Sequence, residues 1–222
     1  METLTQFFLP VSIWFQQTLE WLIPIMKGVT FLGNVEFYLL IMPLLFWCID
    51  ISLGIRMGIL LLISGGINAL LKLVFQSPRP FWVTKKVLGL SEGPSFGFPS
   101  GHAQNAASMW GLLGVTLKKR WGKVLAFVLI LLIGISRIIL GVHFFHDVLV
   151  GWLVGALLVW VFVRLEPKLI AWYKRSSLGK QIGMLVLITS LFILPALLFS
   201  PPINFPELPQ IWLDNAGMEL NL

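Results

Sequence analysis

The stretch GIRMGILLLISGGINALLKLVF, residues 54–75, decides the fold class of this 222-residue chain. It carries no charge over 57–71, and a helix of about 20 mostly apolar residues is what a bilayer requires. The whole chain is 57% hydrophobic and 12% charged, against roughly 25% charged in soluble domains. These proportions exclude a soluble globule, a disordered chain, collagen and a coiled coil. They predict an all-α, polytopic membrane helical bundle.

Six segments approach the length of a membrane span, and we therefore predict about six transmembrane helices. They are 31–51, 54–75, 101–117, 124–140, 144–163 and 182–200. Together they form a predicted membrane domain over 31–200. Residues 1–30 mix Gln and Glu with Phe, Leu and Trp, which predicts an N-terminal interfacial amphipathic helix. Residues 201–222 are predicted to be a C-terminal tail.

Basic residues set the orientation. The formal charge is +6, from 16 Lys and Arg against 10 Asp and Glu. Six of the 16 lie on the side reached by the C-terminal ends of spans 54–75 and 124–140, and the other ten lie opposite. The six are Lys27, Lys72, Arg79, Lys85, Lys86 and Arg137. By the positive-inside rule the ten-residue side is cytoplasmic. We expect a bacterial inner-membrane protein, bound to membrane lipids and not to nucleic acid, whose six-residue side faces the periplasm or the cell exterior.

That outer side collects the ionisable residues that lie at membrane depth. Lys72, Arg79 and Arg137 are three cations, and the nearby acid is Asp147. Ionisable groups within spans are costly and usually functional. The excess of positive charge indicates an anionic ligand, and the planar guanidinium groups suit phosphate oxygens.

The segment FPSGH, residues 98–102, adds a second feature suited to phosphate. Ser100 is a good N-cap residue, and the backbone N–H groups that follow it face outward at a helix N-terminus. Gly101 allows a ligand to approach the backbone closely. His102 would then lie beside the bound group.

His143 and Asp147 are four residues apart and so share one helix face. A carboxylate in that position fixes the imidazole tautomer and leaves the other ring nitrogen free to attack. Two histidines of this kind suit covalent phosphoryl transfer. One attacks phosphorus, and the other protonates the leaving oxygen.

These residues resemble the three-part signature of the type 2 phosphatidic acid phosphatase (PAP2) superfamily. The matching positions are Lys72, Arg79-Pro80, then Pro99-Ser100-Gly101-His102, then Ser136-Arg137, His143 and Asp147. The resemblance covers about residues 31–165. It implies a helical bundle and a phosphohistidine intermediate, with no metal and no other cofactor. By this resemblance His143 is the nucleophile, Asp147 orients it, and His102 is the general acid. The resemblance assigns phosphate binding to Lys72, Arg79, Ser100, Gly101 and Arg137.

The predicted activity is hydrolysis of a lipid phosphomonoester or pyrophosphate at the outer face. One alternative is a phosphotransferase that uses the same intermediate and a lipid alcohol as acceptor. A second is an anion carrier, which would leave the His143–Asp147 pair unexplained. The haloperoxidases of the same superfamily are soluble enzymes, whereas the composition of this chain predicts a membrane protein. The identity of the lipid stays open, as does the oligomeric state.

Three further features receive structural interpretations. Gly151 and Gly155 form a small-xxx-small pattern that favours close helix packing. His146 is expected to have a structural or rim role, since the signature does not include it. Glu36 is expected near the depth of the site, where it could pair with a basic residue or contact substrate.

Overall fold

The computed structural model describes residues 2–91, 95–199 and 210–216. These residues form ten α-helices, a short 3-10 helix at Glu20–Leu22 and no strand. The helices are α1 Glu2–Thr18, α2 Ile23–Phe31, α3 Val35–Cys48, α4 Ile51–Phe75, α5 Pro80–Val83, α6 Gly101–Thr116, α7 Arg120–Ile139, α8 Phe145–Arg175, α9 Leu178–Phe199 and α10 Gln210–Ala216. The all-α helical prediction is confirmed.

Three helical segments among the described residues are long and apolar enough to cross a membrane. They are Ile51–Val83, Arg120–Ile139 and Phe145–Arg175. A fourth candidate is the pair Glu20–Phe31 and Val35–Cys48, which is bent by 44°. Each of the six predicted spans contains a helix, although α3 and α6, with 14 and 16 residues, are shorter than a membrane span needs.

The first predicted span, 31–51, contains α3 but begins too early, because residues 32–34 separate α2 from α3. Residues 32–34 form a tight turn in which Gly33 packs closely, since a Cβ there would lie 2.5 Å from Ile133 Cγ2. Residues 2–31 form two helices joined by the 3-10 turn. Gln16 of α1 is buried and pairs in both directions with the Leu88 backbone, at 2.8 Å each way. The interfacial position of 1–30 stays a prediction.

Helix α6 is the central helix of the bundle and contacts α4, α7 and α8. Its buried face consists largely of small and polar residues, which lets neighbouring backbones approach closely. A Cβ on Gly151 would lie 2.6 Å from Ser100 O, and one on Gly155 would lie 2.4 Å from Gln104 O. The predicted close packing of this glycine pair is therefore present between α6 and α8.

Buried polar side chains join α4 to α6. The Asn68 amide donates to Gln104 Oε1 at 2.9 Å and to Pro99 O at 3.3 Å. The Gln104 amide in turn donates to Ser64 O at 2.8 Å. Because these bonds lie away from water, they fix the register of α4 against α6. They thereby place the last turn of α4 beside the first turn of α6.

The C-terminal part of the chain packs against α4 and α5. Helix α9 packs on α4, where a Cβ at Gly66 would lie 2.6 Å from the Phe192 ring. Helix α10 packs on α5, and the Asn215 amide donates to Trp82 O at 2.9 Å. Of the predicted tail, 201–209 and 217–222 lie outside the described residues.

The packing of α6 on α8 yields a prediction. We expect Gly155→Ala to destabilise the protein by about 1–3 kcal/mol, because the added methyl would meet the Gln104 backbone and force the two helices apart. The measurement is the thermal unfolding midpoint in detergent. Gly65→Ala is the matched control, since a Cβ there meets nothing within 4 Å. Equal midpoints for the two variants would contradict this account of the packing.

Candidate active site

Four helix ends converge on one side of the bundle and carry the predicted site residues. Lys72 lies in the last turn of α4 and Arg137 in the last turn of α7. Ser100 caps the start of α6, and Asp147 lies in the first turn of α8. The structure therefore brings together residues that the sequence separates widely.

His143 lies in the turn between α7 and α8, with Asp147 one helical turn further on. Its Nδ1 is 3.3 Å from Asp147 Oδ2, and the same oxygen accepts the Phe144 N–H at 2.9 Å. Both side chains are almost fully buried. Since Nδ1 faces the carboxylate, Nε2 is the ring nitrogen directed towards the cations of the site.

A glycine makes this turn possible. Gly141 has φ +71, and a Cβ there would lie 2.3 Å from Leu88 O. Residues that carry a Cβ rarely adopt this left-handed backbone conformation. Glycine is therefore required here both for the backbone conformation and for the space. The backbone N–H groups of Val142 and His143 both donate to Arg137 O, at 3.2 and 3.3 Å. The turn thus holds His143 close to the end of α7.

Arg79 places its guanidinium against the free nitrogen of His143. Its Nη1 is 3.3 Å from His143 Nε2 and donates to Val142 O at 2.9 Å. Its Nε donates to Ser95 O at 2.6 Å. A buried, rigidly held guanidinium beside this nitrogen is suited to bind the oxygens of a phosphate.

Hydroxyl groups of the loop between α5 and α6, together with Thr30 of α2, hold two more cations. Lys72 Nζ donates to Ser95 Oγ at 2.7 Å. Arg137 Nη1 donates to Thr30 Oγ1 at 2.7 Å and to Ser91 Oγ at 3.0 Å. In the described part of the site, three cations thus accompany the single carboxylate of Asp147.

The start of α6 is tied directly to α8. The Ser100 N–H donates to Asp147 O at 3.0 Å, while Ser100 Oγ accepts the Ala103 N–H at 3.4 Å. Gly101 is needed for packing, since its Cβ would lie 3.0 Å from Asn68 Oδ1. His102 Nε2 lies 2.8 Å from Asn34 Oδ1. Its ring is also within electrostatic reach of Arg137, Lys72 and Arg79.

His146 and Glu36 have different surroundings. His146 is buried among Phe8, Phe98 and Phe144, with ring centroids 5.2–6.0 Å apart. Its Nε2 lies 3.1 Å from Asp147 Oδ1, behind the carboxylate that faces His143. These contacts fit a structural role. Glu36 is exposed in the first turn of α3.

Several contributors to the site were not predicted from the sequence. Ser95, Ser91 and Thr30 hold the cations, and Asn34 contacts His102. They lie in loops or beside helix ends, where Ser, Thr and Asn are common for local reasons. Asn68 had a usable signal, because an amide within an otherwise apolar membrane helix indicates an interhelical partner.

The surroundings of His143 keep its imidazole uncharged. Burial lowers the pKa of His143 well below its usual range, and Arg79, Arg137 and Lys72 lower it further. A neutral ring with Nδ1–H directed at Asp147 retains its lone pair on Nε2. That is the form required of a nucleophile.

The arrangement is that of a helical membrane protein in which a buried histidine lies between a carboxylate and a cluster of cations. The profile of the PAP2 superfamily matches residues 53–171. Phosphatidylglycerophosphatase B of Bacillus subtilis is 32% identical over 67% of this chain and 77% of its own length. Human glucose-6-phosphatase 3 is 28% identical over 81% of this chain and 59% of its own.

A solved structure also shows similarity to the PAP2 superfamily. The crystal structure of a transmembrane PAP2 type phosphatidylglycerolphosphate phosphatase from Bacillus subtilis superposes with a TM-score of 0.64 at 28% identity. The match covers 75% of this chain and 86% of that one. The chain therefore belongs to the PAP2 superfamily, as the sequence resemblance indicated, and it is a phosphatase.

The electrostatics of His143 yield a prediction. We expect its ring to stay neutral until the pH falls well below about 6.5, the usual histidine value. Ring carbon NMR of labelled protein in detergent measures this, and the signal lost in His143→Ala identifies the residue. Arg79→Gln removes a neighbouring cation and should raise the pKa. Titration of the wild-type ring at or above the usual value would contradict the expectation.

Proposed function

We propose that this protein hydrolyses a phosphomonoester or pyrophosphate carried by a membrane lipid, on the extracytoplasmic face, through a phosphohistidine intermediate. The observation that carries the proposal is the geometry of His143. Its Nδ1 faces Asp147, and its Nε2 faces the Arg79 guanidinium. A nucleophilic nitrogen and a fixed positive charge therefore converge on one point.

In the first step His143 Nε2 attacks phosphorus, and the bond from phosphorus to the leaving oxygen breaks. Asp147 stabilises the positive charge that develops on the ring, and His102 gives its proton to the leaving oxygen. In the second step water attacks phosphorus and gives a proton back to His102. The P–N bond breaks, and inorganic phosphate is released.

The positive groups supply the stabilisation that the transition state needs. Lys72, Arg79 and Arg137 hold the phosphate oxygens, together with the backbone N–H groups after Ser100. These donors are already fixed by Ser95, Thr30 and the backbone of Val142. Little reorganisation is then needed during the reaction.

A lipid substrate suits the surface around the site. Exposed apolar side chains lie near the same helix ends, including Phe31, Val74, Phe75 and Phe145. Such a surface contacts lipid and not water, so a headgroup phosphate could enter while its chains stay in the bilayer. The B. subtilis relative named phosphatidylglycerophosphatase also supports a lipid phosphate. The charge bias of the loops supports the outward orientation.

The first test concerns the nucleophile. With purified protein in detergent, we expect phosphate release from a phosphatidylglycerophosphate-type substrate, and a loss of about 10³-fold or more in His143→Ala. Quenching the wild-type reaction in alkali, in which phosphoramidates survive, should trap phosphate on His143. Substantial turnover by His143→Ala would overturn the assignment. Transfer to a lipid alcohol without release into water would favour the phosphotransferase.

The second test concerns metal ions. We expect activity to survive excess EDTA, because the three cations supply the charge that Mg²⁺ supplies in many phosphoryl-transfer enzymes. Within the described ranges, no group of three His, Cys, Asp or Glu side chains could hold a metal. Vanadate, which mimics five-coordinate phosphorus, should inhibit. A protein silent in EDTA and restored by Mg²⁺, Mn²⁺ or Zn²⁺ would contradict the metal-free mechanism.

A further inference from the structure

Asn34 occupies a helix N-cap without capping the helix. It precedes α3 with φ −70 and ψ 149, the usual conformation of a cap residue. Asparagine there normally accepts an N–H bond from the first helical turn. No such side-chain bond forms at α3. Instead Oδ1 lies 2.8 Å from Nε2 of His102, 68 residues away in sequence.

The turn that carries Asn34 is held firmly against α6. The Trp110 indole N–H donates to Leu32 O at 3.3 Å. At Gly33 a Cβ would lie 3.4 Å from His102 Cδ2, so the backbone of the turn packs against the imidazole itself. The N–H groups of Gly33 and Asn34 donate to Thr30 O and Phe31 O, at 2.9 and 3.0 Å. Asn34 is therefore fixed independently of its bond to His102.

We propose that Asn34 is the positioning residue of the general acid. This inference rests on the proposed function. The amide oxygen accepts Nε2–H of His102, which assigns the other nitrogen, Nδ1, to the reacting oxygens. In the first step Nδ1–H passes its proton to the leaving oxygen. The ring is then neutral with its hydrogen on Nε2, so Nδ1 has the lone pair that receives the proton of the attacking water.

The two histidines of the site would thus be oriented by different chemistry. Asp147 is a carboxylate, and it stabilises the positive ring that forms when His143 attacks. Asn34 is neutral, so it orients His102 without holding the proton back electrostatically. It also adds no negative charge beside an anionic substrate. Such a neutral acceptor suits a histidine that must first release a proton and then regain one.

The test compares two substrates that differ in their need for an acid. Octyl phosphate has a poor leaving group and p-nitrophenyl phosphate an activated one, which needs little proton donation. We expect Asn34→Gly to lower kcat for octyl phosphate by about tenfold or more and to change kcat for p-nitrophenyl phosphate much less. Glycine is a suitable replacement, because it is tolerated at N-cap positions. Asn34→Asp keeps an acceptor oxygen and should lower kcat for octyl phosphate less than Asn34→Gly does, because the ring stays oriented although the added negative charge holds its proton more tightly.

A double-mutant cycle separates positioning from a general loss of structure. In a His102→Ala background, Asn34→Gly should cost almost nothing further, because the group through which it acts is gone. Additive losses, or an equal loss on both substrates, would overturn the role of Asn34. His102→Ala alone tests the proposed function separately. If that variant showed no dependence on the leaving group, the general-acid assignment of His102 would itself fail.

Discussion

The backbone and carboxylate of Asp147 hold the active site together. Oδ2 faces His143 Nδ1 and accepts the Phe144 N–H, which closes the first turn of α8. The carbonyl oxygen of the same residue accepts the Ser100 N–H and so anchors the start of α6. One buried residue therefore orients the His143 imidazole and joins the two helix N-termini of the site. Replacing its side chain would disturb more than the imidazole.

Much of this site could be predicted because its main spacings are local. His143 and Asp147 lie one helical turn apart, and Ser100 begins a helix, so the short motifs largely determine their own geometry. The order of apolar spans then places those motifs on one side. Asn34, Ser91, Ser95 and Thr30 could not be predicted in this way. Their roles depend on which loop reaches which helix end, and neither composition nor periodicity encodes that.

The fold was predictable to a similar extent. Apolar length identified α4, α7 and α8, whose exteriors can face lipid. It was less informative for α6, because a central helix is selected for tight contact on several sides and needs no continuous apolar surface. Its buried Gln104, Asn105 and Ser108 lower the hydropathy while supporting interhelical bonds. The break around Gly33 lies only a few residues beyond the predicted boundary between 1–30 and 31–51.

The bond from Arg137 to Thr30 has a consequence for how the protein matures. It spans 107 residues of sequence, and Thr30 precedes the segment 53–171 that matches the superfamily. During synthesis α2 is made long before α7, so the bond between Thr30 and Arg137 can form only after α3 to α6 have also been made. The catalytic centre consequently assembles late, and a fragment trimmed to the superfamily boundaries would lack one of its supports.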